Sequence, residues 1–197
     1  TWLRPPKPAA VMLLTAHYED NYLPALNLTT VKTARDFQQL ITSQSGRRGN
    51  LLKLVGGNLQ DFRSDVPWDK GLEKMKDQAL VFFCAAHGGS DENGPYLLPQ
   101  DADLLEEELF RLHLKKVLAR MQKLPASQRK LVILDATQMS SNPALGMIHN
   151  DFARALESLD EQIRAVPNLV VLCSTSPDQR SWTSHEWGQT AFGHWLV

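Results

Sequence analysis

The chain has 197 residues, 43% of them hydrophobic and 22% charged, which is enough apolar mass for one compact α/β domain with a substantial core. Its 21 basic and 22 acidic residues leave a formal net charge of −1, which excludes the charge footprint of a nucleic-acid binder or of a protein held electrostatically on an anionic membrane. No apolar run approaches the length that spans a bilayer, and the opening TWLRPPKP lacks the apolar segment of a signal peptide.

The first residue is Thr1 rather than methionine, so residues 1–8 read as a linker from a longer chain. Residues 9–197 read as the domain, with an end truncated inside the helix-like AFGHWLV. PAAVMLLTA (8–16) opens a series of near-continuous apolar runs, followed by NLLKLVG (50–56), QALVFFCAA (78–86), KLVILDA (130–136) and NLVVLCST (168–175). Such runs predict parallel strands covered on both faces. Between them, Val31, Ala34, Phe37, Leu40 and Ile41 recur at helical spacing. So do Leu105, Leu109 and Leu112, then Phe152, Ala155, Leu156, Leu159 and Ile163. Asp103 and Glu106 have the spacing of a helix cap with a carboxylate on the third residue. This order implies right-handed crossovers and an open, mostly parallel sheet with helices on both faces. Cys84 and Cys173 lie inside apolar runs and read as buried free thiols, the pattern of a reducing, cytoplasmic compartment.

In such a sheet chemistry gathers at the carboxyl ends of strands. VFFCAA runs into His87-Gly88-Gly89-Ser90, and VILDA runs into Thr137. A histidine and a hydroxyl thus leave the sheet at strand ends, and Gly88 and Gly89 are expected to turn tightly and leave an amide for a substrate oxygen. Read without context, His87 is more readily a polar loop residue closing a strand than a catalytic group, and the flanking glycines weigh against that plain reading.

These residues carry a resemblance. FFCAAHGGSDENGPYLLPQDAD resembles the histidine segment of the caspase and metacaspase family, where an apolar strand ends in His-Gly before an acidic loop and a short strand. LVILDATQMSS is similar to that family's nucleophile segment, and Thr137 follows His87 by 50 residues, the separation expected of the caspase pair. SPDQRSW (176–182) resembles the segment whose Ser-Trp lines the substrate groove, and PAAVMLLTAHYEDNYLPALNLTTVKTARDF resembles the first strand and helix of bacterial members. The resemblance implies a caspase-like three-layer α-β-α sandwich around a central, mostly parallel sheet. It also implies catalytic positions at His87 and Thr137, and substrate contacts from Gly88, Asp135, Ser181 and Trp182.

Two departures matter. Thr137 stands where the family has cysteine, and neither Cys84 nor Cys173 is placed to replace it. A thiol with a pKa of about 8.5 is partly ionised at neutral pH, whereas a secondary hydroxyl is not. At Val31-Lys32-Thr33-Ala34, metacaspase-like members carry an acid that helps to bind a basic P1 side chain. Here Thr33 is neutral and Lys32 has the opposite sign, leaving Asp135 as the retained acid.

Other motifs carry less. Ser140 and Ser141 read as solvated loop residues. His185-Glu186 lacks the second histidine of a zinc-protease helix, and His194 comes nine residues later, so both histidines read as surface or groove-edge groups. Asp91, Glu92, Asp101, Asp103 and Glu106 to Glu108 raise calcium as the one candidate cofactor, but they lack a calcium-loop spacing and no metal is expected. Gly56-Gly57-Asn58 reads as a turn.

Two readings stay open. One is a pseudopeptidase that binds a peptide or partner segment, or other domains of a longer chain, as a regulatory module. The other is an endopeptidase with Thr137 as an unusual nucleophile, or one whose cysteine has been replaced by threonine. The simultaneous change at Thr33 favours the first, because an inactivating replacement would leave the specificity pocket intact.

Overall fold

The computed structural model describes residues 8–20, 22–45, 51–55, 71–102, 111–139, 141–143 and 147–196. In chain order the elements are β1 (Pro8–Leu14), α1 (Asn27–Ser45), β2 (Leu51–Val55), β3 (Ala79–Ala85), β4 (Gly88–Asp91), β5 (Gly94–Leu97) and β6 (Leu112–His113). There follow α2 (Leu114–Lys123), β7 (Lys130–Asp135), α3 (Phe152–Glu157), α4 (Asp160–Ala165), β8 (Leu169–Cys173), β9 (Thr183–Ser184), β10 (Gln189–Thr190) and α5 (Ala191–Leu196).

The five apolar runs form one parallel sheet in the order β2-β1-β3-β7-β8. Alternation along the strands sends side chains to two cores. Val11, Leu13, Phe82, Cys84, Val132 and Leu134 face Val117 and Met121 of α2 and Phe152 and Leu156 of α3. Met12, Leu14, Phe83 and Ile133 face Phe37 and Ile41 of α1, with Phe192 and Leu196 of α5 packed alongside. Each large apolar side chain buried this way contributes about 1.5–3 kcal/mol, and together the faces make an α-β-α sandwich. A small antiparallel sheet, β4-β5-β6, extends from the carboxyl end of β3.

Register places the site. Ala85 pairs with Asp135 across β3 and β7, so His87 and Thr137 each emerge two residues beyond a paired position, at the same edge of adjacent central strands. At the opposite edge, Lys130 is buried and its Nζ donates to the carbonyls of Pro125, Gln128 and Pro167 at 3.0, 3.1 and 2.9 Å. Burial lowers the pKa of that ammonium.

Several expectations are corrected. β8 is covered on one face only: Val170 and Leu172 are 55% and 41% exposed, because β8 is the last strand of the sheet and α1 packs against β1 rather than reaching across to it. The pattern from Phe152 to Ile163 forms two short helices, not one. Ser158 Oγ donates to the Ala155 carbonyl at 2.6 Å, the local competition that ends helices, while Phe152, Leu156 and Leu159 remain in the core. Leu112 lies in β6 rather than a helix, pairing with Leu97. Gly88 and Gly89 open β4 rather than a free turn, and β1 begins at Pro8, within the segment read as linker. Asp103, Leu105, Glu106 to Glu108, Leu109, Ser140 and Gly56-Gly57-Asn58 lie outside the described residues. No helix among the described residues is long and apolar enough to cross a membrane.

Candidate functional site

His87 is held from three directions. Its ring stacks on Tyr18, with centroids 5.2 Å apart and planes 10° from parallel. Nε2 lies 2.8 Å from the Pro24 carbonyl, which only accepts, so Nε2 carries the proton and Nδ1 presents a lone pair. The His87 amide donates to Tyr18 Oη at 2.7 Å, and that hydroxyl donates to the Leu98 carbonyl at 3.3 Å. Burial lowers the His87 pKa to about 4, offset only in part by Pro24. The imidazole is therefore neutral at pH 7, with Nδ1 buried and unpartnered.

Thr137 is 3% exposed and its hydroxyl is fully engaged. Oγ1 accepts from Thr175 Oγ1 at 2.9 Å and from the Ser181 amide at 3.1 Å. With both lone pairs used, its own proton goes to Ser174 Oγ at 3.2 Å. None of these bonds involves His87. The two residues leave neighbouring strands at the same edge, but the hydroxyl is directed toward the segment following β8.

The sequence leaves the Gly88 amide for a substrate oxygen; the structure spends it on the Ala136 carbonyl at 2.9 Å. The backbones meet because position 88 has no side chain: a Cβ there would stand 2.8 Å from Phe152 Cδ2 and 3.0 Å from the Ala136 carbonyl oxygen.

Asp135 is buried beneath this edge. Its Oδ2 accepts from Thr190 Oγ1 at 2.6 Å, and the same Thr190 oxygen accepts the Gly193 amide at 2.8 Å. The carboxylate thereby braces the start of α5. Oδ1 has no hydrogen-bond partner, and neither has the buried Thr33 Oγ1. Burial raises the Asp135 pKa, moderated by Thr190, Ser181 and Ser174.

A cleft of about 550 Å³ opens over His87, walled by Pro24, Gln138, Met139, Trp182 and His185. Ser181 is buried on its lining and Trp182 is 57% exposed. Thr137 does not line it, whereas its neighbour Gln138 does, together with His87. His194 stacks on Trp187, with ring centroids 4.4 Å apart. Asp91 gives its carboxylate to Arg111 and His113, which lower its pKa against the effect of burial.

A family model described as the caspase domain matches residues 58–194, most of the chain. The chain belongs to the caspase domain family. Among solved structures, this caspase domain is similar to the Drosophila initiator caspase Dronc, with 13% identity, a TM-score of 0.60, and coverage of 98% of this chain and 62% of that one. A Geobacter sulfurreducens protein matches with 15% identity, a TM-score of 0.65, and coverage of 97% and 80%. Caspase-1 from Spodoptera frugiperda matches with 15% identity, a TM-score of 0.60, and coverage of 93% and 65%. The domain thus spans less than two thirds of the length of either insect caspase chain, and at these identities the likeness is one of fold. Among curated proteins no relative matches the sequence.

Sequence reasoning missed Tyr18, Pro24, Ser174 and Thr175. Tyr18 follows the carboxyl end of β1, so the strand-end rule that found His87 points there too. Pro24 acts through its backbone carbonyl, for which side-chain chemistry gives no signal.

Proposed function

We propose that this caspase domain is a pseudopeptidase. It binds an extended peptide or partner segment in the cleft over His87 without cutting it, as a recognition module within a larger protein. The observation that carries this reading is the Thr137 hydroxyl. It is buried, both its lone pairs and its proton are used within the fold, and His87 has no bond to it. Nucleophilic attack needs a hydroxyl within reach of its base and of the scissile carbon. The engaged Gly88 amide removes an obvious donor to a developing oxyanion. The exposed Trp182 indole and the Pro24 wall suit apolar side chains of a bound segment.

The competing reading is an endopeptidase using Thr137, and it draws on the neutral His87 with its available Nδ1. Incubation with Arg-, Lys- and Asp-terminated peptide reporters, with and without calcium, separates the two. The expected result is no turnover above buffer. Cleavage by the unaltered protein that is lost in both His87→Ala and Thr137→Ala would establish the peptidase instead.

A further inference from the structure

The cleft has two working edges that are far apart in sequence: the turn carrying His87 and the loop carrying Gln138 and Met139. One side chain joins them. Asn150 Nδ2 donates to the Gly88 carbonyl at 3.1 Å and also to the Met139 carbonyl, while Oδ1 accepts the Phe152 amide at 2.9 Å. All three contacts come from a single carboxamide, which needs two donor hydrogens and one acceptor on one planar group. Its acceptor side fixes it at the start of α3, whose Phe152 is fully buried against the sheet. Its donor side then holds the residue after His87 and the residue after Gln138 at a set separation.

We propose that Asn150 is the positioning residue of the cleft, clamping the His87 turn to the Gln138–Met139 loop and so setting the width of the groove. This rests on the cleft being the binding site, but its primary test needs no ligand. Two substitutions separate the clamp from the helix cap. Asn150→Asp keeps the acceptor for Phe152 and places an oxygen where the donor faced two carbonyls. Asn150→Ser keeps a short cap acceptor that does not reach either carbonyl, and adds no charge.

The readout is the His87 imidazole, followed by NMR of histidine-labelled protein across a pH titration, beside thermal melting. A released turn admits water to the ring. The expected result is a His87 midpoint shifted upward, toward that of a solvated histidine, in both variants. The Lys130→Met variant serves as the control for stability loss at the other end of the sheet, and its His87 midpoint should match the wild type. Variants that melt lower yet leave the His87 midpoint and ring shifts at wild-type values would overturn the clamp and leave Asn150 as a helix cap. A titration with a fluorescent peptide reporter, run in parallel, tests the cleft itself. Binding weakened about tenfold in the variants supports the clamp. Absence of binding in the wild type alongside a shifted His87 midpoint would overturn the binding reading while the clamp stands.

Discussion

The amide of Ser181 is shared between the carbonyl and the hydroxyl of Thr137, at 3.2 and 3.1 Å. The segment after β8 is therefore stitched onto the end of β7 through Thr137. The Thr137 hydroxyl acts here as a structural joint.

Thr137→Cys tests that joint. A thiol is a weaker acceptor and donor than a hydroxyl, so the bonds to Ser181, Thr175 and Ser174 weaken together. The variant should lose about 1–2 kcal/mol in urea unfolding. It should also show no turnover of peptide reporters, because the Gly88 amide still serves Ala136. Efficient cleavage by Thr137→Cys would mean that the segment rearranges on binding to free both groups.

The fold was legible because it depends on pattern. The apolar runs at 8–16, 50–56, 78–86, 130–136 and 168–175 are the five strands of the parallel sheet, and the ends of two of them led to His87 and Thr137. What those residues do was not legible. The direction of the Thr137 hydroxyl depends on partners 37 to 44 positions away, and the tautomer of His87 on a carbonyl 63 positions away. The bare face of β8 depends on where α1 and α5 stop, which periodicity within β8 does not encode.

Acid should weaken the fold through His87. Its folded pKa of about 4 lies below the ordinary 6.5, so the unfolded chain takes up the proton first as pH falls. The contribution is complete above pH 6.5 and is lost as pH descends toward 4. That separation corresponds to about 3 kcal/mol. Urea unfolding of the wild type and of His87→Gln at neutral pH and near pH 4 should therefore show the wild type losing about 3 kcal/mol more than the variant. Parallel losses in both proteins would show that the ring is solvated.

Lys130 makes three hydrogen bonds to carbonyls from inside the fold, joining the turn before β7 to the one before β8. Lys130→Met preserves most of the aliphatic stem and removes the ammonium, leaving the three carbonyls without that donor. The expected cost is about 2–3 kcal/mol, read as a lower urea midpoint at unchanged slope. Reporter binding in the cleft, at the opposite end of the strands, should not change.

Asp135→Asn is expected to stabilise the protein at neutral pH. Burial raises the Asp135 pKa above its ordinary 3.8, which means the folded state holds its proton more tightly than the unfolded chain. The stability this gives is complete below pH 3.8 and is lost as pH rises through the folded pKa. At neutrality the wild type therefore carries the cost of holding an acidic group in a buried site. In Asp135→Asn the amide oxygen still accepts from Thr190, so the start of α5 stays braced. The amide hydrogens then stand where Oδ1 was, beside the Ser181 hydroxyl, whose oxygen can accept from them. The gain should be about 1–3 kcal/mol at pH 7 and should vanish toward about pH 3, where the wild-type carboxyl is itself protonated. Destabilisation at neutral pH would mean that the charge is compensated in the fold. A loss of binding confined to Arg- and Lys-terminated reporters would assign that charge to a basic side chain of the ligand.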